Sequence, residues 1–119
     1  MQIGASAWTA EALKLTMPAS VFSRSTECHN QDKVSMGTIA ARDCLRVLEL
    51  TEQVAAALVL ASVQGVALRG RDDTFALTAP VAEFCTHVGQ RVPFLDEDRP
   101  LENELRATVG AIRQRSWTL

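Results

Sequence analysis

Through residues 2–16 the apolar positions Ile3, Ala7, Ala10 and Leu13 return at steps of three and four, the spacing of a helix. Strong helix formers fill the stretch AEALKL, and Pro18 limits it because proline cannot donate the helical hydrogen bond. Residues 17–33 carry no period and read as irregular. The dominant element is expected over residues 34–68, with Asp32 placed to cap its start. In its first half Ile39, Leu45, Leu48 and Glu52 mark successive turns, and Arg42, Asp43, Arg46 and Glu49 form a charged stripe. Beyond Gln53 the run VAAALVLASV is apolar on all sides, so this half should be enclosed on every face and needs more neighbours than so short a chain supplies. Gly65 would permit close packing there, and Gly70 is a natural stop. A polar loop covers residues 70–78. Thr78 can then cap a helix over residues 79–92, with Pro80 tolerated in its first turn and Pro93 ending it. A last helix over residues 100–114 has Glu102 and Glu104 at its start and Arg113 and Arg115 at its end, which complements the helix dipole. No segment alternates with period two. The class is all-α: a long central helix packed with shorter antiparallel helices, in one helical unit spanning residues 1–119.

Composition narrows the function. The 119 residues carry a net charge of −2 and show no Lys/Arg cluster, which argues against nucleic-acid binding. The longest apolar run, residues 54–63, is too short for a membrane span of about 20 residues. The amino-terminal MQIGASAWTA lacks the basic and apolar regions of a secretory signal, so a cytoplasmic location is expected. Three cysteines at irregular spacing do not form a disulfide framework.

Chemistry concentrates in RSTECHNQDKVSMG, residues 24–37. Cys28 and His29, with Cys85 and His87, lack the spacing of a structural zinc site, which wants two to four residues between paired ligands. A Cys28–His29 nucleophile pair is disfavoured because neighbouring side chains in an extended segment diverge. Asp96, Glu97 and Asp98 read as a solvated helix cap before they read as a cation site. HNQD is different: two amides and an acid ahead of a long helix can hold a small ligand, since an amide both donates and accepts. A plain helix-entry loop is the competing reading.

Residues 24–46, RSTECHNQDKVSMGTIAARDCLR, resemble the distal segment of the aromatic amino-acid ammonia-lyases and aminomutases, tyrosine 2,3-aminomutases among them. VPFLDEDRPLENEL is similar to the carboxy-terminal signature of that family, and MQIGASAWTAEALKLTMPAS to the helix and turn ahead of the polar loop. The resemblance implies an all-α fold with long central helices, assembled as a tetramer with sites at subunit junctions. It also implies a methylidene-imidazolone electrophile built from an internal Ala-Ser-Gly. The family's glutamate, asparagine and glutamine that face substrate and electrophile match Glu27, Asn30 and Gln31. Ile3 matches a pocket position near the aromatic ring. The position of Gln31 is a glutamate in the histidine enzymes and a glutamine in the phenylalanine and tyrosine enzymes. A neutral amide avoids an unpaired charge beside an aromatic ring, so Gln31 argues against histidine.

Two family features have no counterpart. There is no Ala-Ser-Gly, since Gly4-Ala5-Ser6-Ala7 has the wrong order, and there is no tyrosine to serve as base. The expectation is therefore a part of a tyrosine 2,3-aminomutase or ammonia-lyase: a fragment, half of a split enzyme, or an inactive relic. Alone it would be inactive. It would supply Glu27, Asn30 and Gln31 to a composite site whose electrophile lies on an upstream portion or a homologous subunit. The expected assembly is a homo- or hetero-oligomer that binds a small aromatic amino acid and neither nucleic acid nor membrane. The alternative is a non-catalytic helical assembly module derived from that family.

Overall fold

The computed structural model describes residues 1–72 and 75–117. Four α-helices carry the chain: α1 (Gln2–Lys14), α2 (Gly37–Arg69), α3 (Ala79–Gly89) and α4 (Glu102–Arg113). A short 3₁₀ turn, Ala19–Phe22, and a tight turn at Glu27–His29, whose Cys28 and His29 have positive φ, lie between α1 and α2. No strand occurs among the described residues. The all-α class stands. No helix among those residues is long and apolar enough to cross a membrane.

The chain divides into two compact units, Gln2–Thr51 and Glu52–Leu119 together with Met1, so α2 contributes to both. In the first unit Leu50 is fully buried and Ser23 nearly so. Arg46 on α2 donates to Glu11 on α1 at 2.9 Å and to Glu49 at 3.1 Å. Those bonds, Glu11 first, hold the Arg46 pKa above its ordinary value. Arg46 and Glu49 thus pair as the stripe suggests, and Arg46 also ties α1 to α2.

In the second unit Ala56, Ala57 and Leu60 on α2, Val88 on α3 and Ala111 on α4 are buried. Phe84 meets Trp117 edge-on, with ring centroids 5.5 Å apart. Arg113 donates to Glu52 at 2.6 Å, joining α4 to α2. The side-chain amide of Gln64 clasps the Leu95 backbone: Nε2 donates to the carbonyl at 2.8 Å, and the Leu95 N–H donates to Oε1 at 3.0 Å. That clasp fixes one wall of an apolar groove of about 450 Å³ bounded by Leu60, Val63, Leu77, Cys85 and Phe94.

Several boundaries differ from expectation. α2 begins at Gly37, five residues beyond Asp32, and the Gly37 N–H donates to Ser35 Oγ at 3.3 Å. Asp32 is not its cap, because the preceding loop holds Val34 in a bond to Ser23. α3 starts where Thr78 places it, and the Thr78 carbonyl accepts from the Ala82 N–H, but the Thr78 side chain makes no capping bond. The helix stops at Gly89, short of Val92; Gln90–Arg91 continue as a turn before Pro93. α4 is shorter than residues 100–114 at both ends. Its end wraps through Arg115 at φ 49°, with the Ser116 N–H donating to the Ala111 carbonyl, an exit that glycine usually makes. α2 does end beside Gly70, although no described glycine has positive φ. A methyl group at Gly65 would meet nothing within 4 Å, so the close packing expected there is not made among the described residues. The enclosure expected for residues 54–63 is also partial: Ala56, Ala57 and Leu60 are buried, but Leu58 is 66% exposed. The polar loop expected at residues 70–78 includes Asp73 and Thr74, which lie outside the described residues.

Candidate functional site

The loop between Ser23 and Val34 is closed by nested pairs. At its base the Ser23 hydroxyl donates to the Val34 carbonyl at 2.7 Å and accepts from the Val34 N–H at 2.9 Å. Three residues further in, the Thr26 N–H donates to the Gln31 carbonyl at 3.0 Å, and the Gln31 N–H donates to Thr26 Oγ1 at 2.9 Å. Inside that pair the Asn30 N–H donates to the Glu27 carbonyl at 3.0 Å. The two residues at the tip, Cys28 and His29, both have positive φ, 52° and 55°. A four-residue turn with that bond and two left-handed central residues has the signature of a type I′ turn, the form that joins two paired arms. His29 is held from the side by Ser25, whose Oγ lies 3.0 Å from Nδ1. Lys33 Nζ and Arg24 Nη1 both donate to the Ser23 carbonyl.

This geometry places Glu27, Asn30 and Gln31 on one pinned turn. All three are exposed, and among the described residues none of their side chains makes a hydrogen bond or an ion pair. Their backbones are fixed while their side-chain donors and acceptors are unspent. Ile3 sits on α1 and is 87% exposed. A second groove in this unit, about 390 Å³, is bounded by Leu15, Ile39, Arg42, Asp43 and Arg46, not by the loop. Among the described residues no three His, Cys, Asp or Glu side chains gather in a metal-binding cluster. Sequence reasoning passed over Ser23 and Thr26. The available signal was their placement: each hydroxyl residue stands as far before the Cys28–His29 tip as its partner stands after it.

An all-α chain with this loop ahead of a long helix defines a class, and comparison with known proteins agrees with it. A family model described as aromatic amino acid lyase matches residues 1–89. The chain is 39% identical over 113 residues to the tyrosine ammonia-lyase of Cupriavidus metallidurans, covering 95% of this chain and 21% of that protein. It is 36% identical over 118 residues to the histidine ammonia-lyase of Caenorhabditis elegans, covering 98% of this chain and 17% of that protein. The crystal structure of tyrosine aminomutase from Streptomyces globisporus superposes with a TM-score of 0.82 at 33% identity, over 97% of this chain and 21% of that one. The chain belongs to the aromatic amino acid lyase family, and it spans about a fifth of the length of these relatives.

The residues present do not build the electrophile that the family implies. The nearest sequence, Ala5-Ser6-Ala7, lacks the glycine and lies inside α1. The chain has no tyrosine either, so the tyrosine base that the resemblance implies is not among its residues. What the site offers chemically is recognition: one carboxylate to accept from an ammonium, and two amides to donate and accept at a carboxylate or amine.

Proposed function

We propose that this chain supplies Glu27, Asn30 and Gln31 to a composite ammonia-lyase or 2,3-aminomutase site, with the electrophile and the base carried by another polypeptide segment. The observation that carries this reading is the pinned turn with three unspent polar side chains; the resemblance assigns those three positions to the substrate side. The substrate is an aromatic amino acid, tyrosine in preference to histidine, because the neutral Gln31 has no charge to offer an imidazole and leaves none unpaired beside a phenol ring. Glu27 accepts from the substrate ammonium, Asn30 bonds its amino or carboxylate group, Gln31 shapes the pocket and Ile3 adds an apolar wall. The overall reaction breaks the Cα–N bond and removes a β-proton, releasing ammonia and an arylacrylate; return of the ammonia to the β-carbon makes it an aminomutase. The methylidene-imidazolone group belongs to the other segment, in an assembly with that segment or with homologous subunits.

The test is reconstitution with the polypeptide encoded next to this chain, following coumarate from tyrosine by its ultraviolet absorbance. The chain alone gives no turnover. In the assembly Asn30→Ala lowers kcat/KM about 10- to 100-fold, the scale of one lost charge-assisted hydrogen bond. Gln31→Glu is harmful with tyrosine. Turnover by the chain alone, or activity within about twofold of wild type in both variants, defeats the assignment. The second reading, a non-catalytic assembly module, draws on the large exposed apolar side chains of α2, Leu45, Leu48 and Leu58. It is favoured if no neighbouring polypeptide carries Ala-Ser-Gly.

A further inference from the structure

Resting on that reading, we infer that Thr26 and Ser23 are positioning residues for the site: they set the register in which Glu27, Asn30 and Gln31 are presented, without themselves meeting the substrate. The three recognition side chains have no bonds of their own to orient them, so their direction is inherited from the backbone of the turn. That backbone is in an unfavourable conformation. Cys28 and His29 are side-chain-bearing residues in the left-handed region, at φ 52° and 55°, which persists only where surrounding contacts over-determine it. No glycine and no strand ladder does that work here. Backbone bonds from Asn30 to Glu27 and from His29 to Thr26, and the Ser25 contact to His29, act at the tip, and the two nested pairs close the arms, each through one hydroxyl. Thr26 Oγ1 supplies the acceptor for the Gln31 N–H at 2.9 Å while the Thr26 N–H holds the Gln31 carbonyl at 3.0 Å. Ser23 Oγ both donates to and accepts from Val34. Ser23 is 4% exposed, so its hydroxyl has no ready exchange with water. Thr26 Oγ1 bonds the backbone of Gln31 itself and is one residue from Glu27, so its loss acts on the recognition residues directly. Ser23 acts one step further out, by closing the base of the loop.

The test uses Thr26→Val, which keeps the shape and removes the acceptor, and Thr26→Ser, which restores it. In the full 119-residue chain, amide hydrogen exchange at Gln31 should quicken at least about tenfold in Thr26→Val and stay near wild type in Thr26→Ser, the factor expected from one hydrogen bond. In the reconstituted assembly with tyrosine, Thr26→Val should lower kcat/KM about tenfold and Thr26→Ser less than about threefold. In an Asn30→Ala background Thr26→Val should cost clearly less than its roughly tenfold in the unaltered assembly, because the part of its effect that passes through Asn30 is already lost while the parts through Glu27 and Gln31 remain. Ser23→Ala, measured at a temperature where its far-ultraviolet circular dichroism matches wild type, should show the same non-additivity. A large Asn30→Ala effect with an unchanged Thr26→Val overturns the positioning role and leaves the composite site standing. Full additivity of Thr26→Val with Asn30→Ala also overturns it. An unchanged Asn30→Ala removes the composite site, and the positioning role falls with it.

Discussion

Replacing Gln64 by alanine removes both bonds that hold the Leu95 backbone against α2, at 2.8 and 3.0 Å. A net hydrogen bond contributes about 0.5–1.5 kcal/mol, and both bonds here are partly buried, so the loss should be about 2 kcal/mol. For a chain of 119 residues the unfolding entropy is about 0.25 kcal/mol/K, which converts this to a fall in Tm of about 8 °C. Thermal unfolding followed by circular dichroism at about 222 nm measures it. Gln64→Glu separates hydrogen bonding from packing. The introduced carboxylate can still accept from the Leu95 N–H, but it faces the Leu95 carbonyl with no proton to give. Folding therefore favours the protonated form and raises the folded pKa of the introduced carboxyl above its unfolded value. The sign follows: the variant's deficit is largest well above that raised pKa and shrinks as the pH falls through it, because the acid can donate to the carbonyl. A Tm change below about 2 °C in Gln64→Ala, or a Gln64→Glu deficit that does not shrink in acid, would refute the idea that this clasp stabilises the segment.

The periodic elements were legible and the loop's arrangement was not, and the physical reason is range. Helical period, Pro93 and the Glu102/Arg113 polarity act within a turn or two, so they can be read from neighbours. The Gln64–Leu95 clasp joins residues 31 apart, and no local pattern announces it. In HNQD the residue types define what can be bonded but leave a plain helix-entry loop as a competing reading, and the recognition role is an expectation from the family resemblance. The loop's conformation was hidden because the turn uses Cys28 and His29 where a hairpin turn ordinarily uses Asn and Gly. The same use of an unusual residue hid the end of α4, where Arg115 takes the left-handed position. Asp32 misled for a related reason: a capping residue is a local preference, and the Ser23–Val34 pair, reaching across eleven positions, overrides it. The apolar run in α2 specified that its faces need cover and that so short a chain cannot supply all of it, and Leu58 at 66% exposure is in line with that.

His29→Gly should raise Tm by a few degrees, because glycine occupies the second turn position without the left-handed penalty; the gain is about 0.5–1 kcal/mol after the entropy glycine adds to the unfolded chain. No gain, or a loss, would mean that the Ser25 contact to the ring outweighs the backbone strain. Leu50→Ala, at a fully buried site, should cost about 2–5 kcal/mol by urea unfolding, and a cost under about 1 kcal/mol would contradict its place in the core. The Arg99 guanidinium bonded to Glu104 holds that carboxyl below its ordinary value near 4.5, so the pair's stabilisation is present above that value and disappears as the pH falls through the lowered one. Arg99→Met should therefore flatten the acid side of the stability curve, and an unchanged curve would remove Glu104 from the account. Finally, the chain should associate at micromolar concentration. α2 leaves Leu45, Leu48 and Leu58 exposed at 63%, 54% and 66%, and three large aliphatic side chains on one helix gain more from burial than isolated surface leucines do. Sedimentation should show species heavier than 13.0 kDa, and Leu48→Glu with Leu58→Glu should shift the distribution to monomer while keeping the helical spectrum. A clean monomer for the unaltered chain would show that these exposed leucines are tolerated in water, and with it would go the argument from apolarity to assembly.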